Sequence, residues 1–195
     1  MAPPARSRAE RGPLGALALG LSLLAAGAGC EPSSPERTVP ASDPALRDRN
    51  GVLELRGAPF SGWVTEGGAE APLVGRTPYL HGLRHGRATA RYQNGALAYE
   101  KLFRHGLREG VHRGFWPDGK PQFVYRYEKD LFAGEQVAYY RNGARAELRH
   151  YRDGREEGQQ TQWDGEGRVQ ANYVFRDGKR YGIVGRFDCV TVHED

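Results

Sequence analysis

Residues 92–110 read YQNGALAYEKLFRHGLREG and residues 140–158 read YRNGARAELRHYRDGREEG. Each stretch holds a Tyr two residues before Asn-Gly, an alternating run, an aromatic residue three places before a turn glycine, and a closing glycine. Moving outward, Gly62, Gly86, Gly110, Gly134, Gly158 and Gly182 recur every 24 residues without a slip. A second series at the same period is Gly95, Gly119, Gly143 and Gly167, preceded by Asn94, Asp118, Asn142 and Glu166. A third is aromatic (Tyr79, Phe103, Tyr127, Tyr151, Phe175), and a fourth runs Phe115, Tyr139, Trp163, Phe187. Four phased series at one fixed period mark a chain of stacked identical units, and the period decides the fold class before any single residue does.

Within a unit the local physics is readable. RATARY (87–92) is an extended run, and in LAYEKLF (97–103) Leu97, Tyr99, Lys101 and Phe103 share one side. A period of two means strand. Asn-Gly between two such runs is a strong hairpin signal, and the expected turn is type I′, with φ > 0 at both central residues. Glu166-Gly167 is a weaker form, since Glu tolerates positive φ poorly. One hairpin is unstable alone and must pair with the next. The sequence therefore predicts an all-β fold, an elongated single-layer antiparallel β-meander of stacked 24-residue hairpins, with aromatic ladders lying over glycines. The units are 62–85, 86–109, 110–133, 134–157 and 158–181 within a repeat domain spanning 51–195. The first unit is an irregular cap, and 182–195 is a partial C-terminal cap.

These phased motifs together resemble MORN repeats, most closely the bacterial variant called the toxin–antitoxin system YwqK family antitoxin. The resemblance covers about residues 60–188. It implies an elongated non-enzymatic β-meander used for contact with proteins or membrane lipids. Asp130 in place of a turn glycine and Trp163-Asp164 in place of a second aromatic depart from the pattern.

The first thirty residues have the form of an export signal. A basic leader, MAPPARSRAERGP, precedes LGALALGLSLLAAGA, an apolar run of about 15 residues, too short to span a bilayer and suited to a secretory signal. The tail LLAAGAGC resembles the lipobox of bacterial lipoproteins, so residues 1–29 are read as a signal peptide and Cys30 as the lipidated residue. Cleavage after Ala28 to give a soluble exported protein is the alternative. Residues 30–50, with Pro32, Pro35, Pro40 and Pro44 and few bulky apolar side chains, are expected to be an extended solvated tether. With Cys30 acylated, Cys189 is left as a packed thiol. The location that follows is the cell envelope, on the periplasmic side or the outer membrane.

Composition narrows the chemistry. Glycine supplies 27 of 195 residues, near twice the usual ~7% share, without a collagen triplet. Ser61 is the one serine after residue 50 and sits in no Gly-x-Ser-x-Gly elbow. The glycines form no phosphate-cradling loop. The histidines (His81, His85, His105, His112, His150, His193) lack zinc spacing. DGEG (164–167) lies in phase with the hairpin turns, and Glu156-Glu157 reads as a solvated corner. The expectation is no enzyme, no cofactor and no metal.

Two surfaces remain as candidates. Trp63, Tyr92, Trp116, Tyr140 and Trp163 are read as a partner-binding strip. Charge is uneven: residues 76–113 hold 8 basic and 2 acidic side chains. From this segment Arg84, Arg87, Arg91, Arg104 and Arg108 are candidate anion-binding residues, with lipid headgroups or an acidic partner in view. Nucleic acid is not expected outside the cytoplasm. The functional expectation is an anchored scaffold that docks a protein partner of unknown identity, with an antitoxin-like neutraliser or anionic-lipid module as the alternatives.

Overall fold

The structure is a computed structural model that describes residues 37–68 and 70–183. The signal segment, Cys30, Phe187 and Cys189 lie outside these residues. Among them there is no helix. The strands are β1 (Thr38–Pro40), β2 (Leu46–Arg49), β3 (Val52–Leu55), β4 (Ala58–Pro59), β5 (Gly62–Glu66), β6 (Leu73–Leu80), β7 (Leu83–Arg84), β8 (Gly86–Tyr92) and β9 (Leu97–Arg104). They continue as β10 (Leu107–Arg108), β11 (Gly110–Phe115), β12 (Pro121–Glu128), β13 (Leu131–Phe132), β14 (Gly134–Tyr139), β15 (Arg145–Arg152), β16 (Arg155–Trp163), β17 (Val169–Arg176) and β18 (Lys179–Ile183). From β5 to β18 every sheet neighbour follows in sequence and pairs antiparallel, and the sheet does not close into a barrel. This is the meander that the 24-residue period predicts.

Cross-strand pairing assigns the two faces. Tyr79, Phe103, Tyr127, Tyr151 and Phe175 pair with Gly62, Gly86, Gly110, Gly134 and Gly158, one pair per unit. They define a ring face, which also carries Tyr99, Lys101, Phe123 and Tyr125. The opposite face carries Leu102, Val124, Val137 and Leu148, aligned by the pairs Val124 with Val137 and Val137 with Leu148. The paired glycines have another duty besides lying opposite rings. Gly86, Gly110, Gly134 and Gly158 have φ of 100°, 66°, 64° and 83°, a region unfavourable for side-chain-bearing residues.

The turns reverse the expected assignment. In the hairpin at 92–96, Gly95 N donates to Tyr92 O and Tyr92 N to Ala96 O, and only Gly95 has positive φ. That is a type I turn closed by a glycine bulge, and the register shifts beside it at Ala90/Arg91. Asn94, Asp118, Asn142 and Glu166 all keep negative φ, so Glu166 is unstrained. The type I′ turns sit at the other edge, where His81-Gly82, His105-Gly106, Lys129-Asp130, Asp153-Gly154 and Asp177-Gly178 have positive φ at both central residues.

The expected tether also gives way from Thr38 onward. β1 adds in parallel to β5, with Val39 beside Val64, and covers the edge at which the long sheet begins. Asn50-Gly51, with φ of 55° and 83°, is a true type I′ turn joining β2 to β3. The small sheet β2–β3–β4 packs Leu55 with Val39, Phe60 and Val64, and Ala45, Leu46, Leu53 and Tyr79 complete the cluster. Burying such side chains contributes roughly 1.5–3 kcal/mol each. A few apolar residues among the prolines of 38–46 therefore suffice to fold this segment onto a ready sheet.

Further along, polar bonds between units hold the sheet. Each unit has a stretch, near the type I′ corner, where the ladder is interrupted by extra residues. In three successive units one buried side chain bonds to the backbone there. Gln136 Oε1 accepts from Arg126 N at 2.9 Å, while its Nε2 donates to Arg126 O at 3.1 Å and to Ala133 O at 3.0 Å. Gln160 Nε2 donates to His150 O and His112 Nε2 to Leu102 O, both at 2.8 Å. These three residues are one phase of the repeat, and all are buried. The same phase in the preceding unit is Ala88. The residue it would serve is Pro78, which has no N–H to satisfy; its oxygen accepts from His85 N at 2.9 Å, as Leu102 O does from Glu109 N at 3.0 Å and Arg126 O from Ala133 N at 3.1 Å.

Candidate functional site

The structure does not gather the five candidate arginines. Arg84 (β7) and Arg108 (β10) lie on the ring face, paired with Tyr79 and Phe103. Arg87, Arg91 and Arg104 pair with Leu102, Val74 and Leu107 and lie on the opposite face. Neutralisation divides them further. Arg87 shares Glu100 with Arg113, at 2.7 and 2.8 Å, and those guanidinium groups hold the Glu100 carboxyl below its usual range against the opposing effect of its burial. Arg91 donates to Gly95 O in its own hairpin turn. Arg108 pairs with Asp130 at 2.7 Å, and Asp130 Oδ1 also accepts from Arg108 N. Asp130 thus exchanges the freedom of the turn glycine for a grip on the preceding unit.

Nor do the five aromatic candidates form a free strip. Tyr92 Oη donates to Phe115 O and Tyr140 Oη to Trp163 O, each at 2.8 Å, so both tie their hairpin to the next. Asn94 and Asn142 do the same through Nδ2, to Pro117 O and Gly165 O. Trp63 lies under the Arg76 guanidinium, 4.7 Å from its centroid, on the face opposite the ring row. Trp116 is half-buried, and its Nε1 is buried without a partner among the described residues. Asp164 occupies the phase of these tyrosines. Its carboxylate accepts from Glu166 N, Arg168 N and Arg168 Nε, and Arg168 foremost lowers its pKa to about 2. The DGEG segment is therefore a braced turn. Ser61 is likewise structural: its Oγ accepts from His81 N at 2.8 Å.

What the ladder does not use collects on the ring face of the first two full units. A cleft of about 200 Å³ is lined by Glu66, Thr77, Tyr79, Arg84, Ala88, Tyr99, Lys101 and Phe103. It exists because Ala88 stands where the later units place His or Gln. Arg84 lies over the Phe103 ring at 4.5 Å and Lys101 Nζ over the Tyr99 ring at 4.1 Å. Cation–π contact holds both cations in place without neutralising them. Neither has a carboxylate within 4.0 Å among the described residues, whereas Arg108, Arg149 and Arg180 on the same face all do. Burial, and then the Arg84 charge, lower the Lys101 pKa. Burial raises the Tyr79 and Tyr99 hydroxyls, which stay protonated as donors.

In the sequence, alternation puts Tyr99, Lys101 and Phe103 on one side of a strand, and nothing there singles out Lys101, Thr77 or Glu66. The usable signal was the phase Ala88, His112, Gln136, Gln160, in which one unit lacks the bulk of its equivalents. Two larger hollows, of about 550 and 480 Å³, lie respectively beside β17 and β18 and between the β15–β16 corner and the end of β17. The charges of the second include Arg152 and Glu157, already paired at 3.1 Å.

No protein-family model matches the chain, and no curated protein is similar to it.

Proposed function

We propose that this chain is a non-enzymatic binding module: a MORN-like repeat sheet, exported and held at the cell envelope through a lipidated Cys30, that docks a protein partner along its ring face. One observation carries the docking face. The aromatic and asparagine side chains at the hairpin turns bond to neighbouring units, whereas the phased ring row, with Arg84 and Lys101 held over its rings, collects on one side of the sheet. Export and anchoring rest on the leader and on LLAAGAGC.

Two measurements test the reading. Cys30→Ser should move the protein from the membrane fraction to the soluble fraction, and unchanged fractionation would remove the anchor. Affinity capture from detergent-solubilised envelope should recover a partner with the native chain. Tyr125→Ser with Tyr173→Ser, both on the ring face, should lose that partner, and Arg91→Glu on the opposite face should keep it. Loss with Arg91→Glu and retention with the tyrosine pair would place docking on the wrong side.

A further inference from the structure

We infer that the ring-face cleft bounded by Arg84, Lys101, Tyr79, Tyr99 and Thr77 is a binding site for the phosphate group of a small soluble phosphomonoester. The inference goes beyond the docking reading and depends neither on export nor on a lipid anchor.

Charge is the first argument. Two cations face one hollow with no carboxylate within 4.0 Å of either among the described residues; burial and then the Arg84 charge lower the Lys101 pKa, against a weaker opposing effect of Glu66, which lines the same hollow. A fold that needed these cations only for solubility could leave them far apart. Here two rings hold them beside the same space, at 4.5 and 4.1 Å. On the same face Asp130 compensates Arg108, so the absence of a partner is local to this cleft.

Donor count is the second. The hydroxyls of Thr77, Tyr79 and Tyr99 make no hydrogen bond to the protein among the described residues, although Thr77 is only 8% exposed. Two cationic groups and three hydroxyls outnumber what a carboxylate can accept. They suit a phosphate monoester, which carries a charge near −2 and three terminal oxygens. Arg84 supplies the planar fork and Lys101 the point charge. Glu66, exposed at the rim, would turn away a second anionic group and accept from a hydroxyl on the body of the ligand.

The third argument is the missing plug. Pro78 offers no N–H for a side-chain oxygen to accept from, and Ala88 supplies no side chain to fill the space. This is the one described unit with Ala at that phase, and across its cleft Lys101 meets Arg84 of the preceding unit. Ala88→Gln restores the bulk found at Gln136 and Gln160 without changing charge. Its Oε1 would lack a donor, as Gln160 Oε1 already does in the native fold.

The test is isothermal titration of the full chain in detergent with inorganic phosphate, and separately with phosphatidic acid in the same micelles. Native protein should bind inorganic phosphate. Lys101→Met and Ala88→Gln should each weaken binding by about tenfold or more. Arg87→Gln, on the other face, should leave it unchanged. Amide dispersion in NMR spectra checks that each variant is folded. Absence of phosphate binding, equal binding by all variants, or binding of the lipid alone would overturn the proposal. Loss of membrane attachment or of the protein partner would leave this titration untouched, so the two readings fail separately.

Discussion

Replacing Gln136 by Leu tests whether a single buried amide does the work of a missing strand partner. Gln136 is 3% exposed, and Arg126 N has its Oε1, at 2.9 Å, as partner. Leu has similar bulk, so no sizeable cavity opens and the loss is one of hydrogen bonds. Arg126 O keeps Ala133 N at 3.1 Å, so the carbonyl stays satisfied. Arg126 N is orphaned, and the Nε2 bond to Ala133 O is lost. An unsatisfied donor costs about 1–3 kcal/mol, and the lost bond adds about 1 kcal/mol. The expected destabilisation is therefore about 2–4 kcal/mol. Gln160→Leu is the internal control. It removes one strong bond, to His150 O, together with an oxygen that has no partner, so about 1 kcal/mol is expected. Urea unfolding followed by circular dichroism gives the two values. Hydrogen exchange at the Arg126 amide isolates the mechanism, because that proton should lose its protection in Gln136→Leu alone. Equal costs for both variants, or an Arg126 amide that stays protected, would refute the claim that the side chain stands in for backbone.

His112→Gln should leave the fold intact, because Gln performs the same task one and two units later. Burial lowers the His112 pKa, so the native state disfavours the imidazolium; native stability should fall as pH drops below the unfolded value of about 6.5. Stability against pH should lose that step in the variant, and an unchanged profile would show that His112 does not titrate on unfolding. For Asp130→Gly, removal of a non-glycine residue at φ 70° offsets loss of the Arg108 contacts, so the unfolding midpoint at pH 7 should move little. The Arg108 hydrogen bonds depress the Asp130 pKa, so its contribution is present above the ordinary carboxyl value of 3.8 and lost as pH falls through the folded value. The acid limb should therefore be shallower in the variant, and identical limbs would count against the pair. Glu166→Gly separates the two turn types: in the observed type I geometry it costs about 0.5–1 kcal/mol, whereas a type I′ turn would gain stability. A rise in thermal midpoint would reject the observed turn.

The period, strand alternation and ring row were legible because each depends on residue type at a fixed spacing. The exchange of turn types was not. Asn-Gly serves both a two-residue type I′ loop and a longer loop closed by a glycine bulge. Which one forms depends on whether Leu97 pairs with Arg91, as it does here, or with Tyr92, and register is a tertiary property. His105-Gly106 carried the real type I′ signal, yet reads as a corner because its second strand, β10, is only two residues long. Asn50-Gly51 escaped for a different reason. It lies out of phase with the later turns and behind a proline-rich segment, so the period gave no cue to it. Of the five arginines, Arg84 and Arg108 could be placed in one row by phase. Separating Arg87, Arg91 and Arg104 onto the far face required the bulges to be counted.

The candidate cleft shows why an imperfect repeat informs on function where a perfect one does not. In a one-layer sheet the repeating residues must satisfy backbone groups that no second layer covers. Gln136, Gln160 and His112 do this at one phase, Tyr92 and Tyr140 at another, and Ser61, His85 and Glu109 at the corners, where they accept from His81 N, His105 N and Lys129 N. A residue that breaks its phase without loss to the ladder is thus released from that duty. Asp130 breaks phase and is immediately engaged by Arg108, which marks it as structural. Ala88 breaks phase beside a proline that has no N–H to satisfy, and what it leaves is space next to two cations that no carboxylate pairs within 4.0 Å among the described residues. The same comparison, unit against unit, separates a departure that the fold absorbs from one that opens a surface to a ligand.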